Sequence, residues 1–458
     1  MGEDDLPSDY DVIVVGTGMA ESIVAAAVTR IGKKALHLDG NDYYGGMWAS
    51  FNLECLQKWL DECRAEPSPQ PLTDETTSLA APGESLVTIG SPFSTVSNIE
   101  EEWFIPEQSP EVDSAPTPNS DGGDSQATPV WSKAHLLSLN RKFNLDLAPK
   151  LLFARGALVE LLISSNIARY AEFRSVTRVL TWIDDKLEFV PCSRADVFKT
   201  KDVSIVEKRL LMKLLTICVE YKEDNNEFAG FEDKKFVDYL KSKELTDNLM
   251  HYVLYAIAMS STETPCMEAV ERTKRFLASL GRYGNTPFLH PMYGSGELPQ
   301  CFCRSILPSE KESLTLLQFP AVNPITVIEL GPATHACPPG LYVVHMTCKQ
   351  EQTARQDLKS TVDKLLNCSA FDGVFKPAAT GGDTRPQVLY ALYFNVPDTS
   401  HCDLSSSVPS NVHLCSGPDL DLDFDFAVNQ AKEIFTKMYP GEEFLPRAPA
   451  SINFHQNL

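Results

Sequence analysis

A strand, a glycine turn, a helix and a second strand follow one another at the start of the chain, and this order constrains the fold more than any other feature. Tyr10–Val15 (YDVIVV) is a continuous apolar run, typical of a strand buried on both faces. Gly16 and Gly18 follow, and a helical pattern from Ala20 to about Ile31 leads to a second strand at Lys34–Leu38. This βαβ order predicts parallel strands with a right-handed crossover, and therefore an α/β fold class.

The turn after the first strand has the spacing of a dinucleotide-binding loop. Gly16 and Gly18 begin the glycine fingerprint that lets a pyrophosphate approach a helix N-terminus. Asp39 stands 21 residues after Gly18, at the end of the second strand, where an acidic side chain binds ribose hydroxyls. Gly45-Gly46 is a further feature of flavin domains. Together these features predict a flavoprotein-like domain of the FAD/NAD(P)-binding type.

The third glycine of the fingerprint is replaced by Glu21, which argues against a bound nucleotide. A carboxylate there opposes the charge of a pyrophosphate and fills space that the fingerprint keeps empty. We therefore expect a vestigial loop of Gly16, Gly18, Glu21 and Asp39, and no cofactor. No nucleophilic or metal-binding constellation stands at an informative spacing, so we expect no catalytic residues and no metal.

Composition changes abruptly at residue 65. Residues 65–130 hold 12 acidic residues, 10 prolines and 17 Ser or Thr but no Lys or Arg, so more than half of the net charge of −22 lies there. Such a segment buries too little apolar area to offset its ordering entropy, and we predict an acidic disordered insert over 65–133. An island at 100–105 (EEEWFI) is either a docking peptide or, as we favour, a partly collapsed turn.

Outside the insert, the patterns predict an α/β domain that is interrupted by a helical one. Residues 191–284 carry apolar residues at i, i+3 and i+4 almost throughout, which predicts a smaller, all-helical domain II. The flanking sequence then forms domain I in three parts, residues 1–64, 134–190 and 285–458.

Within domain I, residues 134–170 have a helical pattern, and two short strands are expected around Asp184-Asp185. Strands return after Gly340, and the last helix is expected at Ala427–Met438.

The net charge argues against nucleic acid or an anionic membrane surface as a partner, since both need a basic footprint. Scattered cysteines, no secretory signal and no membrane-spanning apolar run lead us to expect a cytoplasmic (cytosolic) protein.

Several long segments resemble a known family. They are similar to the superfamily of Rab GDP-dissociation inhibitors and Rab escort proteins, and their sequences are GTGMAES, LHLDGNDYYGG, RKFNLDLAPKLLFARGALVELL, RYGNTPFLHPMYGSGELPQCFCR and VPSNVHLCSGPD. The resemblance covers most of residues 8–304 and 322–440 outside the insert. It implies a flavoprotein-like domain I without catalytic FAD, and binding of Rab GTPases in their GDP form.

The resemblance also implies where a Rab would bind. Tyr44 in DYYGG matches one Rab-contacting position of the family, and Glu297, Gln300 and Arg304 in GELPQCFCR match others. An arginine fork and a carboxylate can grip charged residues, and a tyrosine offers contact area with a polar tip. The alternative for Glu297 and Arg304 is a local ion pair on a solvated turn.

Two features favour the escort branch of the family. One is the acidic insert. The other is SRADVFKTKDVSIVEKRLLMKLL, a segment in which escort proteins use an exposed Phe and an Arg to dock on the α subunit of Rab geranylgeranyltransferase. The matching positions are Phe198 and Arg209, and core packing is the alternative for Phe198. Ser204 is expected to cap the following helix, with Glu207 completing a capping box.

The helical domain is the expected shelter for the geranylgeranyl lipid that a prenylated Rab carries before its transient delivery to a membrane. Such a chain needs an apolar groove, and TDNLMHYVLYAIAMS is apolar on more than one face. Met250, Leu254 and Met259 are the candidate contacts, because Met adapts to irregular apolar surfaces. An ordinary buried core helix is at least as good an interpretation.

The sequence departs from the family after Arg304. Family members continue with further strands and a hairpin, whereas this chain runs into SILPSEKESLTLLQFPAVN and rejoins the family pattern near Pro324. An apparent deletion therefore lies near 305–323 in domain I. Missing sheet strands are expected to leave unpaired edges and exposed apolar faces.

Three functions remain open from the sequence. The first is a non-catalytic escort protein that presents Rab to the transferase, and the second is a recycling dissociation inhibitor without transferase contact. The third is an enzyme resembling the FAD-dependent amine oxidases. Glu21 and Tyr44 count against the third, because flavoenzymes usually carry Arg at the position of Tyr44. The insert and Phe198 favour the first.

Overall fold

The computed structural model describes residues 7–65, 96–108, 130–168, 171–192, 196, 204–221, 226–303, 314–320, 323–374, 383–405 and 408–447. The strands are β1 (Val12–Val15), β2 (Ala35–Leu38), β3 (Ser50–Phe51), β4 (Ser97–Trp103), β5 (Leu145–Asp146), β6 (Leu152–Phe153), β7 (Phe173–Ser175), β8 (Arg178–Ile183), β9 (Lys186–Phe189), β10 (Phe288–Pro291), β11 (Leu314–Phe319), β12 (Ile325–Leu330), β13 (Val343–Thr347) and β14 (Tyr390–Asn395).

The helices are α1 (Met19–Arg30), α2 (Leu53–Ala65), α3 (Lys133–Ser138), α4 (Ala157–Ser164), α5 (Ile205–Glu220), α6 (Phe236–Ser242), α7 (Asp247–His251), α8 (Cys266–Ser279), α9 (Glu297–Cys303), α10 (Ala354–Leu365) and α11 (Asp425–Met438). Short 3₁₀ turns lie at Gly46–Trp48, Asn140–Lys142, Asn226–Phe228 and Pro332–Thr334, and a π-helical segment lies at Tyr252–Ile257.

The first elements form the predicted βαβ unit. β1 and β2 pair in parallel, with Val12 opposite Ala35 and Val15 opposite Leu38, and α1 connects them. Gly16 has a φ of +99°, a left-handed conformation that disfavours a side chain. It allows the chain to turn sharply from β1 towards α1, so the glycine has a structural reason here even without a nucleotide.

The core of the α/β part is built from both ends of the chain. Met19, Ile23 and Ala27 of α1 are fully buried, and they share one apolar cluster with Phe435 of α11. Leu298 of α9 belongs to the same cluster. The helix that carries Glu297 and Gln300 is therefore anchored on the core beneath the glycine loop.

β1 is more exposed than its apolar sequence predicts. Ile13 and Val15 are 60% and 73% exposed, although Val14 between them is buried. Among the described residues β1 pairs with β2 alone, so its other edge and the face bearing Ile13 and Val15 have no cover there. Such an open edge is what the sequence predicts where sheet strands are missing.

Two larger sheets complete the α/β part. One has the strand order β13-β12-β11-β8-β9, in which β8 and β11 are parallel and the other neighbours antiparallel; the second has the order β6-β10-β7. β8 and β9 form the hairpin predicted around Asp184-Asp185, whose φ angles of +50° and +57° are the left-handed turn geometry that Asp tolerates. The sequence patterns did not predict β11 and β12.

The regular elements described between residues 204 and 280 are helical, as predicted. α5, α6, α7, α8 and the π-helical segment pack around a core that includes Phe236, Tyr239 and Phe276, and the described part of this region has one β-bridge, between Lys235 and Pro265. In the described parts of the chain, no helix is long and apolar enough to cross a membrane.

The prediction of a disordered insert is wrong for residues 96–108. β4 lies within this range and pairs antiparallel with β14. Val96, Phe104 and Ile105 at the two ends of the strand are buried. These few apolar side chains are buried, although the insert is polar on average.

The acidic run in β4 is not a turn, so the interpretation that we favoured is also wrong. Arg64 pairs with Glu101 at 3.1 Å, and Arg355 pairs with Glu100 at 3.3 Å and with Glu102 at 2.7 Å. The carboxylates of the run are thus engaged within the chain, and they are not free to serve a docking peptide.

Residues 134–170 are less helical than predicted. α3 and α4 are helices, but β5 and β6 lie between them. α4 begins only after Gly156, where the Asp425 carboxylate accepts a hydrogen bond from the backbone N–H of Ala157 at 2.7 Å. Short apolar runs fit both periodicities, which explains the error.

Candidate partner-binding surface

Polar groups in and around the glycine loop form hydrogen bonds with one another. The Thr17 hydroxyl donates to the Asp39 carboxylate and accepts from the backbone N–H of Gly45 at 2.9 Å. The backbone N–H and side-chain amide of Asn41 each donate to Asp39 Oδ1 at 2.9 Å. Burial alone would raise the pKa of Asp39, but these hydrogen bonds outweigh it and lower the pKa. The acceptor that would bind a ribose is therefore used to fix the loop.

The Glu21 carboxyl lies over the turn where a pyrophosphate would bind. A β-carbon placed on Gly18 would be 2.5 Å from Glu21 Oε2. Burial raises the pKa of Glu21 to about 7, with a further contribution from the Asp39 carboxylate. FAD is the cofactor of this type of fold, but the residues present do not fit it, because a carboxyl group takes the place of its phosphates.

Tyr44 stands exposed on a rigid turn. Its side chain is 55% exposed. The neighbouring Tyr43 packs edge-on against Phe51 with ring centroids 4.8 Å apart, and Gly45 adopts a φ of +100°. The turn thus exposes the Tyr44 ring, while the Tyr43 ring packs against the strand that follows.

Glu297 and Gln300 lie on α9, on the second segment that the sequence predicts. Gln300 is exposed, whereas Glu297 is partly buried and its Oε2 has no hydrogen-bond partner among the described residues. Burial raises the pKa of Glu297 to about 7, and the nearby Glu172 carboxylate, whose two oxygens also lack partners there, adds to the rise. Arg304 lies outside the described residues.

The Tyr44 turn and the start of α9 are brought together. The backbone N–H of Gly296 donates to Ser50 Oγ at 2.8 Å, and a β-carbon on Gly296 would be 2.5 Å from the Ser50 nitrogen. Sequence reasoning missed Ser50 and Glu172 as members of this surface. The two glycines of YGSGEL could have indicated this contact, since glycine is typical of places where two backbone segments approach closely.

The helical domain presents a second exposed surface at the start of α5. Ser204 and Glu207 form the predicted capping box, in which Glu207 N–H donates to Ser204 Oγ at 3.3 Å and Ser204 N–H to Glu207 Oε2 at 2.8 Å. Arg209 is exposed, and Ile205 and Val206 are 70% and 65% exposed. Phe198 lies outside the described residues.

The three lipid candidates occupy different environments. Leu254 is 2% exposed within the π-helical segment and belongs to the core of the helical domain. Met250 and Met259 are half-buried against the same core. Leu254 thus has the contacts of an ordinary core residue, while the two methionines lie at the margin where a ligand could reach them.

Comparison with known proteins relates these features to a single family. The profile of the GDP dissociation inhibitor family matches residues 5–74 and 130–308, and the profile of RAE1/2 domain I, C-terminal region, matches residues 303–420. The Rab proteins geranylgeranyltransferase component A 1 of Rattus norvegicus is 34% identical over 97% of this chain and 93% of its own length. The corresponding component A of Drosophila melanogaster is 34% identical over 97% of this chain and 91% of its own.

A solved structure supports the fold. The crystal structure of Rab GDI from Plasmodium falciparum has a TM-score of 0.56, at 16% identity, over 94% of this chain and 98% of that one. The match of the GDP dissociation inhibitor profile to more than half of the chain shows that the chain belongs to that family. Within it, the chain belongs to the Rab escort proteins, the component A family. The alignment with the rat relative runs over 608 positions, so that relative has segments without a counterpart in these 458 residues.

Proposed function

We propose that this chain binds Rab GTPases in their GDP-bound form, presents them to Rab geranylgeranyltransferase, and accompanies the prenylated Rab to a membrane. The similarity to component A proteins over 97% of the chain carries the proposal. The escort component is non-catalytic, so the chain supplies binding surfaces and no reacting group. In this proposal the chain acts in the cytosol, contacts a membrane only transiently and does not bind nucleic acid.

The Rab-binding surface consists of Tyr44, Glu297, Gln300 and Arg304 in this proposal. Tyr44 supports it through its exposure on a fixed turn. Glu297 supports it because its Oε2, which has no hydrogen-bond partner in the described structure, can accept one from a bound protein. A basic side chain of the Rab is the partner that such a carboxyl favours.

The transferase-binding surface consists of Phe198 and Arg209, and docks on the α subunit. The exposed Ile205 and Val206 beside Arg209 support an apolar contact at this point, since exposed neighbouring apolar side chains on a helix end are typical of an interface. The lipid of the prenylated Rab would then contact Met250 and Met259 on the helical domain, with Leu254 beneath them.

A charge reversal separates the escort function from that of a recycling dissociation inhibitor. We expect Arg209→Glu to weaken binding to the transferase roughly tenfold or more, and to leave the affinity for a GDP-loaded Rab within about twofold. Lys432→Glu, at an exposed position of α11, is the matched control and should change neither affinity. Both are measured by titration with purified partners.

Two outcomes would contradict this assignment. Unchanged transferase affinity in Arg209→Glu would remove the start of α5 from the docking surface and favour the dissociation inhibitor. Equal loss of both affinities, together with a lower melting temperature, would mean that Arg209 stabilises the fold instead of contacting the transferase.

A further inference from the structure

A buried carboxylate lies between the two segments of the proposed Rab-binding surface. Asp146, on β5, is opposite Ser50 of β3, and its side chain is fully enclosed. β3 follows the turn that carries Tyr44, and Ser295, in the loop that leads into Glu297, binds the same carboxylate. Asp146 is thus bonded both to the strand after the Tyr44 turn and to the loop before α9.

Each oxygen of Asp146 has a defined set of donors. Oδ1 accepts from the backbone N–H of Ser295 at 2.8 Å and from the Ser50 hydroxyl. Oδ2 accepts from the Ser295 hydroxyl at 3.2 Å. The Ser50 hydroxyl in turn accepts from the Gly296 N–H at 2.8 Å, which closes a network around the carboxylate. Buried networks of this kind fix the placement of the chains that they join, since each lost bond leaves an unsatisfied buried group.

Two glycines allow the loop to come so close. A β-carbon on Gly294 would be 2.5 Å from Asp146 Oδ1 and 2.4 Å from Ser50 Oγ. One on Gly296 would be 2.5 Å from the Ser50 nitrogen. Any side chain at either position would push the loop away from the carboxylate, so the glycines and Asp146 form one arrangement.

The surroundings keep the carboxylate charged. His290 Nε2 lies 3.8 Å from Oδ2, and His345 is a second imidazole close enough to act on it. Burial would raise the pKa of Asp146, but the neighbouring His290 imidazole, with smaller contributions from His345 and the Ser50 hydroxyl, outweighs it and lowers the pKa. A charged acceptor makes stronger hydrogen bonds than a neutral one, which suits a group that has to hold two loops.

We propose that Asp146 is a positioning residue, which holds the Tyr44 turn and the start of α9 in the relative placement that a Rab recognises. The inference rests on the proposed Rab-binding surface, because it concerns how that surface is assembled. Asp146 itself is buried and does not touch the partner. Its removal should therefore uncouple the two segments and leave their exposed side chains intact.

The test is a set of affinities for a GDP-loaded Rab, measured by fluorescence titration at a temperature where circular dichroism finds every variant folded. We expect Asp146→Ala to weaken binding roughly tenfold or more. Asp146→Asn should lose less, because its amide oxygen still accepts from Ser295. Tyr44→Ala should cost roughly tenfold in the unmodified protein but under about twofold when added to Asp146→Ala, since misplaced segments no longer act together.

Asp423→Ala is the matched control. Asp423 is also a buried carboxylate, paired with Arg275 at 2.7 Å, and its hydrogen bonds and ion pairs among the described residues involve neither segment. In its background Tyr44→Ala should keep its full effect. If Asp146→Ala does not fold, Ser50→Ala replaces it, because this change removes only the hydroxyl that links the carboxylate to Gly296.

The outcomes separate this inference from the function on which it rests. If Tyr44→Ala and Glu297→Ala leave the unmodified protein's affinity unchanged, the proposed Rab surface is wrong, and the inference falls with it. If both reduce affinity but Asp146→Ala does not, or if Tyr44→Ala costs as much with Asp146→Ala as without it, the surface stands and the positioning role is overturned.

Discussion

The Glu21 carboxyl is a buried titratable group at the glycine loop, at a position where a nucleotide-binding loop has glycine. It lies at the N-terminus of α1, where the helix dipole favours a negative charge, yet burial raises its pKa from 4.5 to about 7. The folded protein therefore holds a proton on Glu21 in a pH range where the unfolded chain has released it. Folding must then become less favourable as the pH rises from about 4.5 to about 7.

We predict that Glu21→Gln removes this pH dependence. Glutamine resembles the protonated carboxyl at every pH, so the variant should gain stability relative to the unmodified protein between pH 5 and pH 8, by on the order of 1–3 kcal/mol. Urea unfolding at several pH values measures the difference. Glu54→Gln, at an exposed position in the first turn of α2, is the control and should leave the curve unchanged. Parallel curves for Glu21→Gln and the unmodified protein would show that the carboxyl is solvated.

Predictions about single residues were confirmed where the interacting groups lie close together along the chain. The Ser204–Glu207 capping box could be predicted because both partners lie within one turn of helix. The raised pKa of Glu297 could not, because its second cause is Glu172, which precedes it by more than a hundred residues and meets it only in the folded chain.

At the scale of elements, one largely buried carboxylate of β4, Glu101, has more partners than the neighbouring acidic side chains of the strand. Glu101 is 15% exposed, and it accepts hydrogen bonds from Gln57 at 2.7 Å and Trp103 at 3.1 Å besides pairing with Arg64. Burial would raise the pKa of Glu101, but the bonds from Gln57, Arg64 and Trp103 outweigh it and lower the pKa. Glu100 has a single exposed ion pair with Arg355.

We therefore predict unequal effects of two alanine substitutions in the same strand. Glu101→Ala should lower the free energy of unfolding at pH 7 by about 1–3 kcal/mol, because buried donors lose their acceptor. Glu100→Ala should lower it by less than about 1 kcal/mol. The effect of Glu101→Ala should diminish as the pH falls below the unfolded-state pKa of the carboxyl, since protonation weakens the same bonds. Equal, small effects in urea unfolding would mean that β4 is not docked in solution.

The strand β4 also shows why composition misled the prediction for its segment. Average polarity over 65–133 predicts a segment too poor in apolar groups to fold alone, but within it β4 pairs antiparallel with another strand, β14. Strand addition depends on an available partner edge, and no local pattern reports that edge.

At the scale of the whole molecule, the open edge of β1 is the exposed feature with the clearest consequence. Ile13 and Val15 are 60% and 73% exposed, no described strand pairs with the second edge of β1, and Leu38, opposite Val15 on β2, is 45% exposed. An apolar strand with an unpaired edge is a template for pairing with another chain. We expect the protein to self-associate with rising concentration, by adding a strand at this edge.

Two lysines on this strand should prevent that association. We predict that the double substitution Ile13→Lys and Val15→Lys gives a monomer at concentrations where the unmodified protein forms larger species, with little change in melting temperature, because both side chains are exposed. Analytical ultracentrifugation measures the species. Val219→Lys, at a 49% exposed position of α5, controls for added charge and should leave association unchanged. A monomeric unmodified protein at every concentration would mean that the edge is covered in solution.

Features that depend on neighbours along the chain could be predicted from the amino-acid sequence. The βαβ order, the glycine turn at Gly16, the hairpin at Asp184-Asp185 and the helical character of the described part of 204–280 follow from local periodicity and backbone preference. The long family motifs likewise identified an escort protein, because a motif is read without folding the chain.

Which distant groups meet depends on the folded chain and could not be predicted from the sequence. Asp146 joins Ser50 to Ser295 across separations of 96 and 149 residues, and Glu101 joins two elements in the same way. Burial and pairing of charged groups depend on what the fold places around them, and local spacing carries no record of it. The exposure of β1 could not be predicted from its sequence either. An apolar strand is buried only where other parts of the sheet cover it.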